Sequence, residues 1–281
     1  MLQGKTVLIA GGVGTIGRGL TRSFLNAGAT VVANSRSEER LKRLDEDLGK
    51  PGNLVLIHGT MIPYDGTSED TFKQIFSQVG PMSIDHVVSH CGVRWWSPRS
   101  VDESGILTVL SNDNVLEMSL EDFQGQSRFL SDFHWNVAKS LVPSMTGRAG
   151  TSYTFVTGCT NSRSGSDLAS LNLLGVHGLA DTLRAQASRG TTGGMDVNEL
   201  RVTLEVGRPA AERAKDPREV PLSAEIGDIT AGIVSAQSEP PSFGQRYDLT
   251  SNETKAELMK KFPFTSVHKE IPIMWNFQHA A

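Results

Sequence analysis

The chain has 281 residues, of which 38% are hydrophobic and 21% are charged, and its formal net charge is −4 at pH 7. This composition is ordinary for a soluble globular protein, and the lack of a basic excess argues against nucleic acid or an anionic membrane as a partner. The two cysteines are too few for a disulfide framework and indicate a reducing compartment. No signal peptide and no membrane-spanning apolar run is recognisable, which predicts a cytoplasmic protein.

Strand-like apolar runs alternate with amphipathic helical patterns along most of the chain. The predicted strands are residues 6–10, 30–34, 54–58, 86–89, 152–157, 196–202 and 246–249, and the predicted helices are 16–27, 37–48, 68–78, 120–145, 168–187 and 224–236. Alternation of this kind predicts a parallel sheet with helices on both faces. Several strands also lack polar alternation, as expected when both faces of the sheet are buried. We therefore predict an α/β protein with a doubly wound parallel sheet (Rossmann fold), forming a single domain over residues 1–281.

Three segments fit neither pattern, at residues 59–67, 93–115 and 207–221. Long loops in a compact domain are commonly binding loops, and in a doubly wound sheet ligands bind at the carboxyl ends of the strands. We interpret 93–115 and 207–221 as substrate loops. The C-terminal segment 263–281 is unusually apolar for a tail, and it could cover the substrate cleft of its own chain or the surface of a neighbouring subunit.

The first predicted strand leads into a glycine-rich turn that opens a helix. Glycines allow a tight turn and let backbone N–H groups approach a pyrophosphate at the helix N-terminus. A glycine pattern alone is a weak signal, but its place between a buried strand and a helix is the context that a dinucleotide site requires. The alternative is a plain strand-to-helix turn without a ligand. The residues that we assign to the cofactor here are Gly11, Gly12, Gly14, Thr15, Ile16 and Gly17.

The end of the second predicted strand indicates which dinucleotide would bind. A site for NAD places Asp or Glu here to accept hydrogen bonds from the ribose, whereas this chain has Ser35, Arg36 and Ser37. An arginine can hold a 2′-phosphate by charge-assisted hydrogen bonds, which favours NADP(H) as the cofactor. The alternative for Arg36 is a solvated charge in a loop.

These landmarks resemble the short-chain dehydrogenase/reductase superfamily, in the expected order and over nearly the whole chain. The segment Val87-Val-Ser-His-Cys-Gly92 stands where the family usually has Asn-Asn-Ala-Gly after its fourth strand. Residues 35–40, 120–123 and 197–198 also fall where the family leads one to expect them. The resemblance implies that Cys91 and Gly92 belong to the cofactor site.

The usual catalysts of that family are missing. They are a Tyr-x-x-x-Lys pair on one helix with a Ser and an Asn nearby, in which the lysine lowers the pKa of the tyrosine that protonates the substrate carbonyl. The corresponding positions hold Ala169 for the tyrosine, Leu173 for the lysine, Leu130 for the asparagine, and Gly158 or Cys159 for the serine. None of the three tyrosines of the chain has a lysine four residues later. Ordinary alcohol or ketone chemistry by the family mechanism is therefore not expected.

A substrate that needs no proton donor would fit this loss. An iminium ion is already cationic, so its reduction requires only the nicotinamide, a shaped pocket and a carboxylate that favours the cation. Asp167 is the candidate carboxylate, two residues before the vacated tyrosine position, although it could instead be an N-cap or first-turn residue. Asp132 and Arg128 are further catalytic candidates, although they could simply pair on an exposed helix face.

Candidate pocket residues follow the fourth strand and lie on the helix after it. Trp95 and Trp96 could line a pocket for a flat, hydrophobic substrate, or one ring could plug the core while the other covers a helix end. His134 could line the same pocket, or it could be a buried, satisfied core histidine. Because His86, His90 and His177 show no metal-ligand spacing with carboxylates or cysteines, we assign no metal site.

The sequence therefore predicts an NADP(H)-dependent enzyme that reduces an imine or iminium of a hydrophobic small molecule of specialised metabolism. It is similar to fungal indole-alkaloid enzymes that reduce an iminium and guide an intramolecular Diels–Alder cyclisation, since these have also lost the Tyr/Lys pair. The alternatives are a non-enzymatic NADP(H) sensor or scaffold, and a carbonyl reductase that uses Tyr64 or Tyr153 as its acid. The resemblance also implies a homodimer or homotetramer that assembles through the helices at 120–145 and 168–187.

Overall fold

The computed structural model describes residues 2–90, 99–101, 107–109, 115–158, 167–204, 206, 223–236 and 243–267. The strands are Thr6–Ala10 (β1), Thr30–Ser35 (β2), Leu54–His58 (β3), Ile84–Ser89 (β4), Arg99–Val101 (β5), Leu107–Val109 (β6), Ser152–Gly158 (β7), Asp196–Val202 (β8) and Arg246–Leu249 (β9). The helices are Thr15–Asn26 (α1), Glu38–Asp47 (α2), Ser68–Val79 (α3), Leu120–Ser127 (α4), Phe129–Met145 (α5), Asp167–Ser188 (α6), Ser223–Ser235 (α7) and Asn252–Lys261 (α8). Single 3₁₀ turns lie at Pro63–Asp65 and Val115–Glu117.

Seven of these strands form one sheet in the order β3-β2-β1-β4-β7-β8-β9, with every neighbouring pair parallel. The chain builds outward from β1 to β3 and then returns to place β4 on the other side of β1. In sheets of this kind, ligands bind outside the carboxyl ends of the strands at the point where the strand order reverses. The topology confirms the predicted doubly wound α/β fold, and it places that reversal between β1 and β4.

Helices cover both faces of the sheet, and each face has its own apolar core. One core packs α3, α5 and α6 against the sheet, and the other packs α1, α2, α7 and α8 against the opposite face. Helices α1 and α7 lie close together because two glycines meet there. A Cβ on Gly19 would lie 1.9 Å from the carbonyl oxygen of Ser223, and one on Gly227 would lie 2.3 Å from the carbonyl oxygen of Gly19.

The predicted single helix over residues 120–145 was wrong, because the structure divides it into α4 and α5 at Arg128. The new helix start is stabilised from α6, where the side chain of Asn172 accepts a hydrogen bond from the backbone N–H of Leu130 (3.0 Å). A first-turn N–H has no partner within its own helix, so a side chain from a neighbouring helix can fix the point at which the helix begins.

Two further elements were not predicted from the sequence. The segment 93–115 contains the antiparallel pair β5–β6, although it was predicted to be irregular throughout. Helix α8 begins at a capping box in which Ser251 and Thr254 exchange side-chain and backbone hydrogen bonds. Among the described helices, none has the length and apolar character needed to cross a membrane.

The C-terminal segment leaves α8 at the edge of the sheet opposite the strand carboxyl ends. The backbone N–H of Val267 donates to the carbonyl of Asn26 at the end of α1 (2.8 Å). Because α1 begins at the carboxyl edge of the sheet and ends at the amino edge, residues 263–267 lie far from any cleft above β1 and β4. The rest of the predicted covering segment, 268–281, lies outside the described residues.

Candidate functional site

The glycine turn between β1 and α1 is shaped by contacts that only glycine permits. Gly11 has a φ of +86°, in the left-handed region. A Cβ on Gly12 would lie 2.9 Å from the Cβ of Ala33 on β2, and one on Gly17 would lie 2.1 Å from the carbonyl oxygen of Gly11. Because these neighbours are backbone or short side-chain atoms that cannot move aside, packing itself requires glycine at Gly12 and Gly17.

The same turn presents backbone N–H groups at the start of α1. The N-cap is Gly14, which has no side chain to cap the helix, and the first intrahelical hydrogen bond runs from Arg18 N–H to the carbonyl of Gly14 (2.8 Å). The N–H groups of Thr15, Ile16 and Gly17 therefore have no partner within the helix. Gly14, Thr15 and Ile16 are partly exposed. This arrangement has the donors and the dipole orientation of an anion-binding helix N-terminus.

The end of β2 lies beside the glycine turn and carries Ser35, Arg36 and Ser37. Ser35 is buried, and its hydroxyl accepts a hydrogen bond from Ser37 N–H (3.1 Å). The Ser37 hydroxyl caps α2 by accepting from Arg40 N–H (3.2 Å), so this oxygen already has a structural role. The Arg36 side chain is exposed, while its carbonyl accepts from Nε2 of His58 at the end of β3 (3.0 Å). The backbone around Arg36 is thus held from β3 while its guanidinium faces solvent.

Arg18 was missed by the sequence analysis, and it joins the glycine turn to α2. Its Nε donates to the carbonyl oxygen of Val13 (3.1 Å), and its Nη1 forms an ion pair with the Asp47 carboxylate at the end of α2. Both side chains are mostly buried. The partners are 29 residues apart along the chain, so no local sequence pattern could have revealed the pair.

At the end of β4, His90 contacts both neighbouring strands at the reversal of strand order. Its backbone N–H donates to Ala10 at the end of β1 (3.0 Å), and its Nδ1 donates to the carbonyl of Val156 on β7 (3.3 Å). Burial lowers the pKa of His90 to about 4, so the ring is neutral at physiological pH. The predicted cofactor residues Cys91 and Gly92 and the predicted pocket residues Trp95 and Trp96 lie outside the described residues.

The positions that the family uses for acid–base chemistry are apolar where the structure describes them. Leu130, at the asparagine position, is 2% exposed, and Leu173, at the lysine position, is fully buried. Both belong to the core that packs α3, α5 and α6 against the sheet. Ala169 lies on α6 but its side chain is outside the described part, and Cys159 is not described. The lysine position is therefore filled by a core leucine, without room for a solvated cation.

The three catalytic candidates lie on α6 and at the start of α5. Asp167 is the first residue of α6, which agrees with a first-turn position, although its side chain is not among those described. The Asp132 carboxylate accepts a hydrogen bond from the Tyr64 hydroxyl. The exposed Arg128 donates from Nε to the carbonyl of Gln124 (3.1 Å). Asp132 and Arg128 thus have separate partners, in place of the pair with each other that the sequence analysis kept as an alternative.

His134 lies in the core of the protein and has a hydrogen-bond partner there. It is 1% exposed, and its Nδ1 lies 2.7 Å from the Ser89 hydroxyl at the end of β4. Its ring packs between those of Phe133 and Phe155, and burial lowers its pKa to about 3. These surroundings correct the assignment to a substrate pocket and match the alternative of a buried, satisfied core histidine.

The two tyrosines considered as alternative acids are poorly suited to that role. Tyr153 is fully buried on β7, and its hydroxyl donates to the carbonyl oxygen of His134 (3.3 Å). Tyr64 is 57% exposed, and its hydroxyl is held by the Asp132 carboxylate. Burial raises the pKa of both phenols well above the usual value, and Asp132 raises that of Tyr64 further. A tyrosine acid works best with a lowered pKa, and the shift here is in the opposite direction.

Helix α6 is attached to β8 by a buried carboxylate. Glu199 is fully buried and accepts from Nδ1 of His177 (2.6 Å), from Arg201 (2.9 and 3.0 Å) and from Arg184 (3.2 Å). Burial alone would raise the pKa of Glu199, but the hydrogen bonds from His177 and Arg201 outweigh it and lower the pKa to about 2. Because its partners come from both elements, this cluster fixes the helix that carries the vacated tyrosine and lysine positions.

Residues 5–118 match the short chain dehydrogenase family. The chain is 35% identical over 112 residues to a short chain dehydrogenase of Pseudocercospora fijiensis, an alignment that covers 38% of this chain and 34% of that one. It is 31% identical over 122 residues to the short chain dehydrogenase/reductase dpchG of Colletotrichum higginsianum, covering 42% of each. The aligned parts thus span less than half the length of these relatives.

Solved structures with the same fold cover almost the whole chain. A short-chain dehydrogenase/reductase from Serratia marcescens has a TM-score of 0.66 at 16% identity, covering 89% of this chain and 99% of that one. A 3-ketoacyl-(acyl-carrier-protein) reductase from Brucella melitensis, complexed with NADH, has a TM-score of 0.64 at 16% identity, covering 88% and 98%. At this level of identity the likeness shows the fold.

Proposed function

We propose that the chain is a member of the short-chain dehydrogenase/reductase superfamily and an NADP(H)-dependent reductase of an imine or iminium substrate. The family match over residues 5–118 and the likeness in fold over most of the chain support the family membership. The substrate class is a hydrophobic small molecule. The proposal has two parts, a cofactor site that this chain retains and an acid–base site that it has lost.

The described residues fit a nicotinamide dinucleotide. The close approach of Gly12 to Ala33 and of Gly17 to Gly11 leaves space for backbone only, and the first-turn N–H groups of α1 are suited to the pyrophosphate. The exposed guanidinium of Arg36, at the end of β2, is suited to the 2′-phosphate of NADP(H). When bound, the reduced cofactor supplies a hydride.

The observation that carries the choice of substrate is the burial of Leu130 and Leu173 in the apolar core. Ketone reduction needs a proton for the developing alkoxide, and the family supplies it from a tyrosine that a lysine activates. Hydride addition to an iminium carbon instead moves the C=N electron pair onto nitrogen and leaves a neutral amine. No proton donor is required, so apolar side chains at these two positions are compatible with the reaction.

A carboxylate near the substrate would favour the cationic form over its neutral counterparts. Asp167 remains the first candidate, because it begins the helix that also carries the vacated positions. Asp132 is the second, although its hydrogen bond from Tyr64 and its place on the outer side of α5 make it less available. An intramolecular Diels–Alder cyclisation of the reduced product is a further part of the proposal, since such a step needs mainly correct orientation.

Assembly through α5 and α6 belongs to the same proposal. Trp135 on α5 is 47% exposed and Leu174 on α6 is 59% exposed, and both are large apolar side chains. Burying them against a second copy would remove apolar surface from water, which supports a homodimer or homotetramer.

The first test is calorimetric titration of the purified protein with NADPH, NADP⁺ and NADH. We expect the phosphorylated forms to bind at least tenfold more tightly than NADH, because Arg36 would contact the 2′-phosphate. A factor of ten corresponds to about 1.4 kcal/mol of binding free energy, and Arg36→Ala should abolish this preference. Arg246→Ala is the matched control, since this arginine is also exposed but lies on the far edge strand β9. Failure of every nucleotide to bind would overturn the reductase proposal.

The second test separates an enzyme from a non-enzymatic NADP(H) sensor. A panel of cyclic iminium compounds is incubated with NADPH deuterated at the transferred position, and the amine products are analysed by mass spectrometry. We expect deuterium at the former iminium carbon of at least one product. Tight NADPH binding without deuterium transfer to any iminium, or transfer to ketones instead, would contradict the proposed reaction.

A further inference from the structure

Arg18 contacts the glycine turn at the carbonyl of Val13, the residue between Gly12 and Gly14. The Nε–H of Arg18 donates to this oxygen (3.1 Å), and the guanidinium is held on its other side by the Asp47 carboxylate. A surface ion pair of long side chains leaves its partners free to reorient. Here both side chains are mostly buried, unlike the exposed pair of Arg43 and Glu39 on α2, so the guanidinium is held in place.

The contact has a direct consequence for the peptide that joins Val13 to Gly14. In a planar trans peptide the C=O and the N–H point in opposite directions. Because the Val13 carbonyl points toward Arg18, which lies one turn into α1, the Gly14 N–H points away from the body of the helix. That direction is where an anion at the helix N-terminus would be bound.

We infer that Arg18 and Asp47 are positioning residues, which hold the Val13–Gly14 peptide so that the Gly14 N–H is directed at the pyrophosphate of the dinucleotide. This inference rests on the proposed function, since it supposes that a dinucleotide binds at the glycine turn. Arg18 acts through the backbone of the turn, whereas Arg36 would contact the 2′-phosphate itself. Glycines allow the turn to form, and Arg18 selects one orientation of a peptide that the two flanking glycines leave free to rotate.

The same helix offers a matched control. One turn after Arg18, Arg22 is also buried and pairs with an aspartate of another helix, Asp228 on α7 (3.6 Å). Asp228 also accepts a hydrogen bond from the Ser23 hydroxyl (2.6 Å). This second pair lies one turn further along α1, so Asp228→Asn reports the effect of losing a carboxylate partner of the same helix.

The experiment compares two ligands by calorimetry. One is 2′-phospho-ADP-ribose, which has the pyrophosphate, and the other is 2′-AMP, which has the adenine and 2′-phosphate but lacks it. The variants are Arg18→Lys, which keeps the charge but loses the Nε–H, and Asp47→Asn, which removes a negative charge near the turn. We expect both variants to weaken 2′-phospho-ADP-ribose about tenfold and to leave 2′-AMP within about twofold, with Asp228→Asn changing neither ligand beyond twofold.

The sign of the Asp47→Asn effect separates positioning from plain electrostatics. If Arg18 served only as a nearby positive charge, Arg18→Lys would be neutral and Asp47→Asn would tighten the pyrophosphate ligand; that outcome would overturn the inference and leave the proposed function intact. An equal loss of both ligands, or a similar loss in Asp228→Asn, would also overturn it by indicating a general effect on folding. If Arg18→Lys does not fold, the change in affinity of Asp47→Asn for 2′-phospho-ADP-ribose decides alone. Weaker binding supports the inference, and tighter binding overturns it. If the unmodified protein binds neither ligand, the proposed function fails, and the inference fails with it.

Discussion

The two sides of the sheet reversal differ in which residues stand at the positions that could bind a cofactor or transfer a proton. On the side of β1 and β2, Gly12 and Gly17 are required by packing, and backbone N–H groups are left available at the start of α1. On the side of β4 and β7, the family's acid–base positions at Leu130 and Leu173 are part of the apolar core. In the proposed function, nucleotide binding and proton transfer are therefore separable, because neighbouring but different elements would supply them.

The comparison is sharpest at Leu173, where the family's lysine would stand. Replacing this fully buried side chain by lysine would bury a charge in the core, and we expect Leu173→Lys to lower the free energy of unfolding by about 3–5 kcal/mol. The matched control is Met82→Lys, just before β4 and outside the helices of the proposed assembly, where the side chain is 58% exposed and the change in stability should be less than about 0.5 kcal/mol. Urea denaturation measures both.

A well-tolerated Leu173→Lys would show that the position opens onto solvent or onto a cavity able to hold a cation. In that case the side of β4 and β7 would be less apolar than the structure indicates, and the difference from the side of β1 and β2 would be smaller.

On the side of β1 and β2, the proposed NADPH binding depends on the glycine turn. A Cβ on Gly17 would lie 2.1 Å from a backbone oxygen, so we expect Gly17→Ala to cost about 1–3 kcal/mol through overpacking and to abolish NADPH binding. Gly178→Ala on α6 is the control, because no atom lies within 4 Å of its added Cβ, and it should be neutral or up to about 1 kcal/mol stabilising. Calorimetry with unaltered NADPH affinity in Gly17→Ala would remove the turn from the cofactor site.

Two buried histidines and the partly buried His90 lie on the side of β4 and β7, and they predict how stability depends on pH. Burial lowers the pKa of His134 to about 3 and those of His86 and His90 to about 4, against about 6.5 in an unfolded chain. Between these values the unfolded chain binds more protons than the folded one. The stability that depends on the neutral rings is therefore present above pH 6.5 and is lost as the pH falls from about 6.5 toward 4.

The variant His134→Asn tests this dependence. Each histidine contributes at most about 1.4 kcal/mol per pH unit to the slope, so removing one should lower the slope of unfolding free energy against pH by about that amount between pH 4.5 and 6. The slope is compared rather than the stability itself, because the variant also loses the contact with Ser89. An unchanged slope in His134→Asn would contradict the prediction.

The order of elements and the glycine turn could be predicted from the sequence because they depend on local patterns. Apolar runs such as Thr6–Ala10 and the glycines that follow are signals within a few residues of one another. The break between α4 and α5 could not be predicted, since it depends on Asn172 from another helix. The Arg18–Asp47 pair was missed for the same reason, because the two side chains meet only after α2 has packed beside α1.

Helix α8 is a different case, because its signal was local and was overlooked. Ser251 and Thr254 have the spacing of a capping box, with Thr254 in place of the usual Glu or Gln. The burial of His134 depends on packing between α5 and β7, and the sequence left both interpretations open. The side chain of Asp167 lies outside the described residues, so its catalytic role stays a prediction.

The smallest effect on stability and turnover is expected at Tyr64, which is far more exposed than Leu173 or His134. Its hydroxyl donates to Asp132, but the side chain is 57% exposed, so Tyr64→Phe should cost less than about 1 kcal/mol of stability. Because the pKa of Tyr64 is raised rather than lowered, we expect turnover of an accepted iminium to stay within about twofold. Tyr247→Phe is the control, a partly buried tyrosine on β9 at the far edge of the sheet. A tenfold or larger loss of turnover in Tyr64→Phe alone, at unchanged NADPH affinity, would make this phenol the missing acid. Tyr64, in the turn after β3, would then supply the proton that the apolar positions on α5 and α6 cannot supply.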